Sequence, residues 1–278
     1  MSSNRSLLYE LVAAWNVADR LGVERGDSLL SPVPLIPNEQ VILYLHGGAY
    51  IKGSPSSHRK LVGRVSGNTG LRAFALDYRL APGNPFPAQL HDAYIAFHYL
   101  VMQGFKKEDI VLMGDSAGGH LCLTLFVLLR HTGLHPVRGM VLLSPLPGIH
   151  LRGQSLQTNA AYDYLCPLLL DIPTSSQRLL YKPGHMLTDE YLHEVGDPLL
   201  TPANGSLAQL PPTLIQSGSK EVLVDDIREL CDKARSENQE ARVVYEEYED
   251  MVHVFQRFEF REESKRAYEA IGDFVRSL

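Results

Sequence analysis

Cysteine is scarce in this sequence. Its 278 residues hold three, Cys122, Cys166 and Cys231. An odd count without regular spacing excludes a disulfide-stapled framework. No Cys/His spacing suits zinc, and no metal or other cofactor is expected. A secretory core is also missing. Leu7-Leu8, Leu11-Val12 and Trp15 are interrupted by Glu10 and followed by Asp19 and Arg20. They fall at helical spacing and predict an amphipathic N-terminal helix. The expected setting is therefore reducing and cytoplasmic, where the sequons at Asn4 and Asn204 carry no meaning. No apolar run is long enough to cross a bilayer, so no stable membrane insertion is expected. Basic runs are absent too, and 26 Lys and Arg against 32 Asp and Glu leave a net charge of -6. That argues against nucleic acid as a partner. Internal repeats and low-complexity linkers are lacking, and the length suits one large domain with a sizeable core.

What is present is alternation. Strand-like runs fall at about 41–46, 72–78, 110–115, 139–144, 213–218 and 242–248. Helical patterns lie between and after them, near 57–68, 88–103, 116–131, 222–238 and 260–277. This order predicts an α/β fold with a mostly parallel central sheet flanked by helices. Runs such as Met140-Val141-Leu142-Leu143 are apolar throughout, as strands buried on both faces should be. The insertion at about 146–205 breaks the rhythm. With residues 1–30 it predicts a small helical cap over the carboxyl ends of the strands, where α/β sheets bind ligands. Tyr162, Tyr164, Leu165, Leu168 and Leu169 give that cap apolar surface, most of it for packing.

The most informative segment is Gly114-Asp115-Ser116-Ala117-Gly118-Gly119. It follows the run Ile110-Val111-Leu112-Met113 and precedes a helical run, the context a G-x-S-x-G nucleophile elbow needs. Ser116 on such a sharp turn requires small neighbours, and Gly114 and Gly118 supply them. The N–H of Ala117 would then face an incoming carbonyl oxygen. A second motif, His46-Gly47-Gly48-Ala49-Tyr50, follows the run Val41-Ile42-Leu43-Tyr44-Leu45. It stands where the other oxyanion donors belong, so Gly47, Gly48, Ala49 and Ala117 form the expected oxyanion hole, with the last three as N–H donors and Gly47 shaping the turn.

A serine nucleophile needs a base and an acid, in the chain order Ser, acid, His for this arrangement. Of eleven histidines, His253 stands out because it follows the last strand in a short loop before the final helix. His46 is read as shaping its loop, His120 as pointing away from the site, and His150 as lying in the cap. The acid must follow the strand at 213–218, where Glu221, Asp225 and Asp226 are the candidates. Asp225 and Asp226 also have a structural explanation, as carboxylates in the first turns of a helix.

Together the segments HGGAY and GDSAGG resemble the hormone-sensitive-lipase-like family of α/β-hydrolases. Asp77-Tyr78-Arg79-Leu80-Ala81-Pro82, Phe86-Pro87-Ala88 through Asp92-Ala93-Tyr94, Leu210-Pro211-Pro212-Thr213 and Met251-Val252-His253 are similar to further family segments in the same order. The resemblance spans about residues 40–275. It implies an α/β-hydrolase fold with a helical cap, and cleavage of carboxylic esters by Ser116, His253 and an acid through an acyl-enzyme. The small cap points to a short or medium acyl preference, and Tyr50 beside the oxyanion loop and Tyr162 among the cap aromatics are expected to line the substrate pocket. The family register favours Glu221 as the acid. Three positions depart from the family pattern: Ala49 replaces a glycine, Glu221 stands in place of the usual Asp segment, and Val254 follows the histidine where glycine is common. Family members often pair through edge strands or the last helix, so a homodimer is compatible with the resemblance. Arylformamidases share the loop and elbow, a specialised natural-product esterase also fits, and plant gibberellin receptors use the fold for binding after losing the histidine.

Overall fold

The computed structural model describes residues 39–134, 137–148, 151–165, 201–240 and 242–278. The expected N-terminal helix and much of the 146–205 insertion, with His150, Cys166, Leu168 and Leu169, lie outside the described residues.

Six strands form one sheet: β1 (Val41–Leu45), β2 (Arg72–Leu76), β3 (Ile110–Asp115), β4 (Gly139–Leu143), β5 (Thr213–Gly218) and β6 (Val243–Tyr248). Their spatial order is β2-β1-β3-β4-β5-β6, and every adjacent pair is parallel. Parallel neighbours need long crossovers, and helices supply them. Those described are α1 (Pro55–Thr69), α2 (Ala88–Met102), α3 (Ala117–His131), the single turn α4 (Ser155–Thr158), α5 (Val224–Glu237) and α6 (Glu262–Arg276).

The unbroken apolar runs of β1, β3 and β4 serve two cores, because successive strand residues point to opposite faces. Leu43, Leu45, Leu112 and Leu142 meet α2, α3 and α5 through Phe97, Leu121, Phe126 and Ile227. Ile42, Tyr44, Met113 and Val141 meet α1 and α6 through Leu61, Val65, Ile271 and Phe274. The sheet is thus clamped from both sides, and its loops project from one end. Two neighbours in the order, β1 and β3, deliver the HGGAY and GDSAGG segments side by side. Helix α1 begins with Ser54 capping the Ser57 N–H, which fixes His58 in the first turn over that same end. Among the described residues, no helix is long and apolar enough to cross a membrane.

Candidate active site

Ser116 sits between β3 and α3 at φ 54, ψ -121, a conformation L-residues rarely adopt. Its neighbours hold it there. The Ser116 N–H donates to the Leu143 carbonyl at 2.9 Å, and the Ser116 carbonyl accepts from Leu146 N at 3.0 Å. A Cβ on Gly114 would fall 2.5 Å from the Gly118 carbonyl carbon, and one on Gly118 would fall 2.6 Å from the His46 carbonyl oxygen. Glycine is needed at both positions because the turn packs backbone on backbone.

The loops after β5 and β6 close on this serine. Ser116 Oγ lies 2.9 Å from His253 Nε2. His253 Nδ1 lies 3.0 Å from Glu221 Oε2. All of Glu221 is buried, and His253 nearly so. Asp225 and Asp226, the other two candidate acids, face elsewhere. Asp226 accepts from the N–H groups of Arg152 and Gly153 at 2.8 and 3.0 Å, and Asp225 accepts from Ser155 N at 2.8 Å. Burial raises the Glu221 pKa above its ordinary value, opposed by the His253 contact and by the nearby Ser144 hydroxyl.

The HGGAY loop runs through the left-handed region, with Gly48 at φ 126, Ala49 at φ 54 and Tyr50 at φ 63. The Gly47 N–H donates to Asp115 Oδ1 at 3.0 Å, which holds the turn of this loop. The histidine loop is also bent. Val254 takes φ 46, ψ 48, the left-handed conformation that explains why glycine is common after the histidine. Its N–H donates to Ser144 Oγ at 3.0 Å.

The sequence profile of the α/β-hydrolase fold family matches residues 42–257. An esterase of Acinetobacter venetianus is 35% identical over 260 residues, covering 93% of this chain and 81% of that protein. An acetyl-hydrolase of Streptomyces hygroscopicus is 36% identical over 247 residues, covering 88% and 78%. Among solved structures, an esterase from the bacterial hormone-sensitive lipase family superposes with a TM-score of 0.71 at 35% identity, over 86% of this chain and 76% of that one. The chain belongs to the hormone-sensitive-lipase-like α/β-hydrolases. It is a hydrolase of the carboxylesterase and lipase type.

Several expected residues of this hydrolase have specific surroundings. Tyr50 is buried, and its hydroxyl lies 2.6 Å from His120 Nδ1. His120 was expected to point away. It is buried on α3, with its ring edge-on to Tyr50 of the HGGAY loop. Tyr162, expected to line the pocket, is 61% exposed, with Lys220 Nζ 5.0 Å from its ring centre.

A buried network supports the hydrolase from beneath. Asp115 accepts from Tyr44 Oη at 2.6 Å as well as from Gly47, and His58 Nε2 lies 3.3 Å from its Oδ2. Burial opposes its charge, but these partners outweigh burial and hold the Asp115 carboxyl below its ordinary range. His58 is the group that faces this carboxylate. Burial lowers its pKa, yet Asp115 on one ring nitrogen and the Ser54 carbonyl on the other raise it overall. His46 behaves oppositely. It stacks on Tyr78 with ring centres 4.1 Å apart, and burial drives its pKa down to about 4. Tyr78 Oη donates to the His46 carbonyl at 2.6 Å, and Arg79 forks onto Asp92, with Nη2 to Oδ1 at 2.7 Å. The DYRLAP segment and the helix start that follows it are thus braces for the HGGAY loop. Sequence reasoning named none of Asp115, His58, Ser144 or Asn159 for the site. Only Asp115 carried a signal, as the residue inside the elbow motif.

Proposed function

We propose that this hydrolase cleaves short to medium carboxylic esters through Ser116, His253 and Glu221, by way of an acyl-enzyme. The observation that carries the reading is the continuous contact from Ser116 Oγ to His253 Nε2, and from His253 Nδ1 to Glu221 Oε2. A neutral imidazole placed there takes the serine proton as Oγ attacks the ester carbonyl. Glu221 holds the Nδ1–H tautomer and stabilises the imidazolium that forms. The oxyanion is held by the N–H groups of Gly48, Ala49 and Ala117. His253 then protonates the departing alcohol, and the same residue activates water to release the acid. Each oxyanion donor is worth on the order of a hundredfold in rate. An odd cysteine count, with Cys122 and Cys231 both unpaired, supports a reducing, cytoplasmic setting.

The test is hydrolysis of p-nitrophenyl esters from acetate to long chains by wild type, Ser116→Ala and His253→Ala. The expected result is a peak at short or medium chains, with both variants near background. Wild type that leaves every ester intact would overturn the reading, and N-formylkynurenine would then test the amide-cleaving alternative.

A further inference from the structure

The Glu221 carboxylate meets His253 Nδ1 at 3.0 Å and has the Ser144 hydroxyl beside it. The main chain that carries it is held as well. That main chain is gripped by one short stretch on the segment that leaves β4. Asn159 Nδ2 donates to the carbonyls of Ser219 and Glu221 at 3.1 and 2.9 Å. Asp163 Oδ2 accepts from Val222 N at 2.8 Å, and Asp163 is itself buried. Tyr164 Oη donates to the carbonyl of His253 at 2.8 Å. Three polar side chains within six residues thus tie the Ser219 carbonyl, both ends of the Glu221–Val222 peptide, and the carbonyl of the base.

We infer that Asn159, Asp163 and Tyr164 are positioning residues that set the Glu221–His253 geometry, coupling the segment that leaves β4 to catalytic power; this rests on the triad reading above. The stretch touches both loops at once, so a shift of the segment moves acid and base together. A purely structural strut would need only one of them. Displacements well under a side-chain length are enough to matter, since misplacing a group by about 1 Å can cost roughly a hundredfold.

The experiment uses the whole protein, with Tyr164→Phe, Asn159→Ala and the double variant beside wild type. Tyr164 is half-exposed, and Phe keeps its ring beside Phe258, so this variant is expected to stay folded. Rates on p-nitrophenyl acetate are taken per active site, counted from the initial p-nitrophenolate burst. The far-downfield proton resonance of the His253 Nδ1–H is followed by NMR without substrate. The expected result is a kcat loss of roughly tenfold for Tyr164→Phe and up to a hundredfold for the double variant. KM should move little, and the downfield resonance should shift or broaden. An unchanged resonance together with kcat per site within about twofold of wild type, whatever the melting temperature does, would overturn the inference. If wild type cleaves no ester but the variants still displace the resonance, the positioning stands and the ester reading fails.

Discussion

The N–H of Gly47 donates to Asp115 Oδ1 at 3.0 Å, a bond that ties the HGGAY loop to the residue immediately before Ser116. The HGGAY loop and the elbow that carries Ser116 therefore share one anchor. The same carboxylate receives Tyr44 and faces His58. Replacing it should disturb the site without touching any reacting atom. Asp115→Asn keeps an acceptor but loses the charge opposite His58, and a drop in kcat of about tenfold to a hundredfold with a modest change in KM is expected. Asp115→Ala leaves three buried partners unmatched and should cost about 3–5 kcal/mol by denaturant unfolding. Full stability in the alanine variant would mean that the anchor is not shared.

Glu221 gives a prediction with two opposite signs. Burial raises its pKa in the folded protein. Between the ordinary carboxylate value and that raised value the folded chain binds more protons than the unfolded one, so stability falls as pH rises through this window. At neutral pH the ionised carboxylate is a net cost that serves the proposed chemistry. Glu221→Gln removes that cost and should melt higher than wild type at neutral pH, with the difference shrinking toward acid. The same change favours the wrong histidine tautomer and should lower kcat by roughly 10⁴-fold. A melting curve at two pH values and one rate measurement check both signs.

The scaffold was readable because its signals are local. Val41-Ile42-Leu43-Tyr44-Leu45 and Met140-Val141-Leu142-Leu143 are apolar at every position, which only a strand covered on both faces requires. Ser116 was readable because an elbow restricts its neighbours to glycine. Glu221 was harder, since Asp225 and Asp226 are equally acidic and only four or five residues away. What separates them is the reach of the loop after β5, a three-dimensional property. The contact of Tyr50 with His120 was not legible, because a helix taken alone does not reveal what covers it. Asp115 and His58 are 57 residues apart in sequence, and neither predicts the other without the sheet order that brings β1 and β3 together.

Glycines near the elbow and on α1 should respond in opposite ways to alanine. A Cβ at Gly118 meets backbone oxygens of β1 and the residue after it, which cannot give way. Gly118→Ala should abolish folded, active protein. Gly63 lies in α1 with nothing within 4 Å of an added Cβ. There the change only narrows the unfolded ensemble and improves helix propensity, so Gly63→Ala should stabilise by about 0.5–1 kcal/mol with activity unaltered. Purified yield, circular dichroism and denaturant midpoints distinguish the two.

The two buried histidines under the site should give stability a pH optimum with separable limbs. His46, desolvated, has its pKa lowered from 6.5 to about 4. As pH falls from 6.5 the unfolded chain gains a proton that the folded chain refuses, and stability is lost toward pH 4, by at most on the order of 3 kcal/mol. His58 has the opposite sign. Its raised pKa contributes stability that is fully present below the ordinary histidine value and is lost as pH rises through the folded value. The two rings lie 5.4 Å apart between centres, so a charged His58 also helps to keep His46 neutral. His46→Gln should therefore flatten the acid limb of unfolding free energy against pH, and His58→Gln the alkaline limb. Each variant is expected to be less stable than wild type overall, because each loses buried contacts; the slopes, not the midpoints, carry the test. An acid limb that keeps its slope in His46→Gln would assign that proton uptake to another group and leave His46 charged in its stack on Tyr78, against the burial that surrounds it.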